Sequence, residues 1–100
     1  MIRINVQKEN NQIKKITLEG HANYEEYGKD IVCAAVSATY LCTVNAILSL
    51  NEKLIQVKNN QDLQEIIVIN YDATINILLN NMVNCLKSLE KQYPKNINLR

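Results

Sequence analysis

Residues 31–51 read IVCAAVSATYLCTVNAILSLN, and those 21 positions hold no charge, no Gly and no Pro. A run of that length, rich in Ala, Val, Leu and Ile, is read as a helix. It is long enough to cross a bilayer. Ser37, Thr39, Thr43, Asn45 and Ser49 interrupt it, however, and no cationic flank anchors either end, so it is taken as a core helix with no membrane partner. A helix apolar on nearly all sides must be covered on nearly all sides. One small sheet cannot do that, so a second helix and a second copy of the chain are expected to supply the rest, which predicts a homodimer.

Working outward from this helix, Ile2, Ile4 and Val6 alternate with polar residues, and Ile16 with Leu18 does the same after the polar stretch Glu9 to Gln12. That pattern is a β-hairpin. Gly20 ends it, and His21 to Lys29 is polar, aromatic and interrupted by Gly28, as a loop is. Beyond the helix, Leu54 to Val57 and Ile66 to Ile69 are apolar and β-branched on either side of polar Lys58 to Gln64, a second hairpin. Asp72 can cap a second helix in which Ile75, Leu79, Met82, Leu86, Leu89 and Tyr93 form one stripe and which Pro94 stops. Ile97 and Leu99 alternate once more, as a short edge strand returning to the sheet would. The expected order is strand, strand, helix, strand, strand, helix, strand: an α+β fold, a small sheet packed with two helices in a single domain over residues 1–100.

Composition narrows the function. The 100 residues carry 11 basic and 10 acidic side chains, for a net charge of +1. No run of Lys or Arg is long enough to track a phosphate backbone, so direct nucleic-acid binding is not expected. The opening MIRINVQKEN lacks a charged segment followed by an apolar core, so no secretory signal is read and a cytoplasmic protein is expected. Three cysteines, Cys33, Cys42 and Cys85, cannot all pair and would stay reduced there.

The chain has one histidine, His21, directly after the strand-ending Gly20. By itself it reads either as an exposed loop histidine or as a general base awaiting a partner. Cys42 and Cys85 fall in mid-helix and read as small core hydrophobes. Cys33 differs: with Asp30 as N-cap it lies in the first helical turn, where backbone N–H groups and the helix dipole stabilise a thiolate. Burial beside Val32 and Ala34 would instead leave it inert. A strand end carrying His21 and a helix start carrying Cys33, joined by a loop, can bring imidazole and thiol together for nucleophilic catalysis. Asp30 can cap the helix or orient His21 as a third catalytic member. Ser37, one turn beyond Cys33, either bonds within a pocket or permits close packing. The loop residues Ala22, Asn23, Tyr24, Glu25, Glu26 and Tyr27 lie between the two candidate catalytic groups and are either substrate contacts or an ordinary solvated loop. No set of ligands suits a catalytic metal, and no cofactor is expected.

GHANYEEYGKDIVCAAVSA, residues 20–38, resembles the signature of the ribosomal-processing cysteine protease family, often called Prp. Gly20, His21, Ala22, Gly28, Asp30, Ile31, Val32, Cys33, Ala34, Ala35, Val36 and Ser37 all stand where that motif has them. Outside it the resemblance is one of length and architecture. It implies a cytosolic, homodimeric endopeptidase that removes the N-terminal extension of bacterial large-subunit ribosomal protein twenty-seven, a cut on which ribosome assembly depends. It also implies a His21–Cys33 dyad and a loop that orders around a substrate with bulky aromatic residues before the scissile bond. Two other readings stay open: a non-catalytic ribosome-associated binding module, and a thiol redox sensor. The latter is poorly served by Cys42, which is over two turns along the same helix from Cys33.

Overall fold

The computed structural model describes residues 1–26 and 28–100. The chain runs β1 (Ile2–Glu9), β2 (Gln12–Glu19), α1 (Ile31–Leu50), β3 (Ile55–Asn59), β4 (Leu63–Val68), α2 (Ala73–Gln92) and β5 (Ile97–Leu99). This is the α+β order expected from the sequence. The five strands form one sheet in the order β3-β4-β2-β1-β5, antiparallel except where β5 lies parallel to β1.

The β1–β2 hairpin turns on Asn10 and Asn11, both left-handed at φ 54 and 62. Two consecutive left-handed residues twist a two-residue turn in the same sense as the strands, and Asn tolerates that conformation. A register shift follows. Gln7 pairs with Lys15 but Lys8 pairs with Ile13, leaving Lys14 as an extra residue on β2. The bulge reverses the parity of the strand, so Ile13 is buried on the same face as Ile16 and Leu18 although an odd interval separates it from Ile16. The Ile13 N–H donates to Asn76 Oδ1 of α2 at 3.2 Å, tying helix to sheet at this point.

Strand bounds in the second hairpin shift from the expected ones. Leu54 and Ile69 lie just outside β3 and β4, and Leu63-Gln64-Glu65, two of them polar, is strand because it pairs with Glu19, Leu18 and Thr17 of β2. Ladder pairing overrides the local polarity that suggested a longer turn. The connection is only Asn60 to Asp62.

Both helices lie on one face of the sheet, over Ile2, Ile4, Ile16, Leu18, Ile55 and Ile66, while alternate residues such as Arg3, Asn5 and Gln7 face solvent. Each fully buried Ile or Leu is worth about 1.5–3 kcal/mol. α2 buries Ile75, Leu79, Met82, Val83 and Leu86, with Leu89 and Tyr93 packed at the margin. Asp72 caps it by accepting the Ile75 N–H at 3.0 Å.

α1 is covered along one side only within the single chain. It buries only Val32, Val36, Tyr40, Val44 and Ile47. Leu41, Leu48 and Leu50 are 52%, 40% and 60% exposed, and Ala34, Ala38 and Cys42 share the uncovered side. Cys85 is exposed as well, so neither Cys42 nor Cys85 is the core thiol that its mid-helix position suggested. The reason is that sheet and α2 touch α1 along a single stripe. α1 is long and apolar enough to cross a membrane by length and composition, and here it packs on the sheet.

The start of α1 is set by Asp30. Its Oδ1 accepts the N–H groups of Val32 at 3.0 Å and Cys33 at 2.9 Å, and its Oδ2 accepts those of Tyr24 at 3.0 Å and Glu25 at 3.4 Å. Desolvation alone would raise the pKa of this carboxyl, but the backbone donors from Cys33, Tyr24, Glu25 and Val32 outweigh it and hold the pKa below the usual aspartate value. A carboxyl depressed in the folded state stabilises the fold above its unfolded pKa, and that contribution is lost as pH falls through the folded value. Asp30→Ala is therefore expected to cost about 1–2 kcal/mol in urea unfolding at neutral pH. Asp30→Asn, which keeps one accepting oxygen, should cost less. The gap between wild type and Asp30→Ala should narrow as pH drops below the ordinary carboxylate range.

Candidate active site

The loop from Gly20 to Asp30 connects the end of β2 to the start of α1, and each of its ends is held. Gly20 continues the β2–β4 ladder by donating its N–H to the Asp62 carbonyl at 3.0 Å. It does so at φ +93, and a Cβ there would come within 2.5 Å of the Met1 carbonyl oxygen, so no other residue fits. Ala22 is buried: its carbonyl accepts Asn96 Nδ2 at 2.9 Å and its N–H points at Cys33 Sγ at 3.3 Å. His21 thus lies between a residue tied to the β3–β4 turn and a residue tied to the first turn of α1.

Further along the loop, Asn23 adopts φ 56 and Gly28 φ 87. The Tyr24 ring meets Tyr93 edge-on, with centroids 5.4 Å apart, and Glu26 pairs with Lys29 at 3.0 Å. Tyr27, expected as a substrate contact, lies outside the described residues.

A cleft of about 880 Å³ opens between this loop, the first three turns of α1 and the β3–β4 turn. Of the residues singled out from the sequence, Gly20, His21, Asn23, Glu25, Gly28, Asp30, Cys33 and Ser37 line it. Ala22, Tyr24 and Glu26 do not: Ala22 is packed beneath the loop, Tyr24 rests on Tyr93, and Glu26 is turned to Lys29. Cys33 is half-buried with its sulfur on the cleft side, whereas Cys42 and Cys85 lie elsewhere on the surface. No cluster of metal-ligating side chains occurs among the described residues.

Residues that sequence reading missed form the other half of the cleft. Leu18, Val36, Tyr40 and Leu41 give it an apolar floor, and Asn59, Gln61, Asp62 and Gln64 give it a polar wall. Burial pushes the Tyr40 phenol up, so it stays protonated, and its hydroxyl donates to Asn59 Oδ1 at 2.7 Å, fixing wall to floor. His21 Nε2 and Asp62 Oδ1 are 2.7 Å apart. Tyr40 falls in the α1 sequence as one more apolar position, and Asp62 in a polar turn as one more solvated acid. Nothing local marks either.

The Asp30 carboxylate is occupied by four backbone N–H groups, and the imidazole's partner is Asp62 instead. The N–H groups of Val32, Cys33 and Ala34 are already bonded to Asp30, the last to its carbonyl at 3.0 Å, so the Cys33 turn has fewer open donors than its place at a helix start suggested.

The chain is similar to known proteins over nearly its whole length. The family model for "Cysteine protease Prp" matches residues 1–98. The ribosomal processing cysteine protease Prp of Staphylococcus aureus is 30% identical, with 88% of this chain and 86% of the relative covered. Its Bacillus subtilis counterpart is 27% identical over 97% of this chain and 94% of its own. A crystal structure of the S. aureus protease with a covalently linked product peptide superposes with a TM-score of 0.95 at 28% identity, covering 100% of this chain and 98% of that one. The same protease with a substrate peptide gives 0.88 at 27%, covering 100% and 98%. With the fold matched throughout and a thiol and an imidazole facing one cleft, the chain belongs to the cysteine protease Prp family.

Proposed function

We propose that this cysteine protease uses Cys33 as nucleophile and His21 as general base to remove the N-terminal extension of a large-subunit ribosomal protein, the twenty-seventh. The observation that carries the reading is the placement of Cys33: its sulfur lies in the first turn of α1, accepts the Ala22 N–H at 3.3 Å, and shares a cleft with the chain's one histidine. That backbone donor fixes the sulfur against the loop that carries His21. The relatives' description as ribosomal processing proteases supports a ribosomal substrate, and the peptide complexes of the S. aureus protease support a peptide one.

In this mechanism His21 takes the thiol proton and the sulfur attacks the scissile carbonyl carbon. The imidazolium then protonates the departing amine, and water opens the acyl-enzyme. The cleft's volume and its apolar floor suit a peptide that sets a bulky side chain over Leu18, Val36 and Tyr40. The reaction runs in the cytoplasm, where the three thiols remain free.

The same proposal includes a homodimer. Ala38, Leu41, Asn45 and Leu48 recur at intervals of three and four along the uncovered side of α1, with Leu41 at its border with the cleft. A second copy packed on that stripe removes the exposed leucines from water, which is the cover that the helix lacks within one chain.

Mass spectrometry of the extended ribosomal protein after incubation with the enzyme tests the reaction. Cys33→Ala is expected to abolish cleavage with the fold intact, His21→Ala to lose at least a hundredfold in kcat/KM, and Cys42→Ala and Cys85→Ala to stay within about twofold of wild type. Peptide binding by the wild-type protein without any cleavage would instead support a non-catalytic binding module. For the dimer, sedimentation equilibrium should show Leu48→Glu weakening self-association at least tenfold, since burying one leucine contributes about 1.5–3 kcal/mol. A monomeric wild-type protein sinks that part.

A further inference from the structure

The hydrogen bond that the His21 imidazole makes goes to a carboxylate that nothing in the signature motif contains. His21 Nε2 and Asp62 Oδ1 are 2.7 Å apart across 41 residues of sequence. The contact is placed by the backbone. Glu19 pairs with Leu63 at the end of the β2–β4 ladder, and the next rung is the Gly20 N–H on the Asp62 carbonyl at 3.0 Å. The turn that carries Asp62 is closed by the Asn60 N–H on the Leu63 carbonyl at 2.8 Å. Asp62 and His21 therefore leave adjoining strand ends side by side.

Each ring nitrogen of a neutral imidazole has one role, and the bond made by one decides the other. A carboxylate only accepts, so a neutral His21 bonded to Asp62 carries its proton on Nε2 and its lone pair on Nδ1. From these contacts we infer that Asp62 is the positioning residue of the catalytic centre: it holds His21 by Nε2–H and leaves Nδ1 as the base that serves Cys33. The inference rests on the proposed Cys33–His21 reaction. Nδ1 takes the Sγ proton as the S–C bond to the substrate forms. The resulting imidazolium keeps its Nε2–H on Asp62, and Nδ1 returns its proton to the amine as the C–N bond breaks. Asp62 stays ionised throughout and offsets the transient positive charge.

Asp30, the nearer acid in sequence, is committed elsewhere, because both its oxygens receive backbone N–H groups. The side chains of His21 and Asp62 are 59% and 61% exposed, so the pair is weak while water reaches it. Both line the cleft, and a peptide lying in it covers them. The pair then strengthens as water leaves, so its effect belongs to the chemical step rather than to binding.

Because the chain has a single histidine, ¹⁵N-histidine labelling gives one imidazole spectrum free of overlap. At a pH where the ring is neutral, the wild-type protein is expected to show the Nε2–H tautomer in excess, and Asp62→Ala a shift toward the mixture of a free imidazole. In peptide cleavage, Asp62→Ala should lower kcat roughly tenfold or more with KM within about twofold. Asp62→Asn, which carries no charge to offset the imidazolium and whose amide can donate to the ring in place of accepting from it, should also stay well below the wild-type kcat. An unchanged tautomer in Asp62→Ala overturns the inference. So does a loss confined to KM, which would make Asp62 a peptide-binding acid, or an Asp62→Asn as fast as the wild type. If the wild-type protein cleaves no peptide, the protease reading and the assigned base role of His21 fail together, while the tautomer measurement still decides whether Asp62 holds the ring.

Discussion

One carboxylate joins the two halves of the candidate centre. Asp30 accepts two N–H groups from the start of α1 and two from the loop that follows His21, so helix and loop share a single anchor. The first turn of a helix leaves its N–H groups without partners inside the helix, and a loop that bends back leaves others. Satisfying both sets at one residue brings Cys33 against Ala22 and holds the rim of the cleft. The donors also hold the pKa of the carboxyl below the usual aspartate value. Asp30 therefore acts through backbone geometry, while the imidazole takes a different acid.

The sheet contributes the other constraint. Its ladder between β2 and β4 does not stop at Glu19 and Leu63 but runs one rung further, through Gly20. A residue with a side chain would strike the Met1 carbonyl, so Gly20 is required both for its positive φ and for its lack of bulk. That extra rung delivers His21 and Asp62 to the same edge of the cleft. The apolar floor beneath them is the core itself, because Leu18, Val36 and Tyr40 are among the buried residues and also line the cleft. Packing and substrate surface are continuous here, which suits recognition of a peptide by large side chains.

α1 has two sides with opposite fates. One stripe, Val32 to Ile47, is covered by sheet and α2, and it orients the first turn so that Cys33 faces the cleft. The opposite stripe of Ala and Leu is bare in the single chain. An uncharged helix of 20 residues exposes more apolar surface than a two-layer fold can cover, and that surplus is what a second copy is proposed to remove.

The sequence by itself determined everything that depends on neighbours within a turn or two. Alternation along β1, the stripe of α2, the caps at Asp30 and Asp72 and the stop at Pro94 all follow from periodicity and local hydrogen bonding, and the Gly20–Ser37 motif was enough to point to the family. Only the tertiary structure decided what depends on register and on which face meets which. Lys14 is an extra residue only because Gln7 and Lys8 pair as they do, and Leu63 to Glu65 are strand only because β2 is beside them. Cys42 and Cys85 are exposed because the helices touch along narrow stripes. Asp62 meets His21 because two strands end together. Such pairings are set by the free energy of the whole sheet and core, and a short window of residues does not contain that sum.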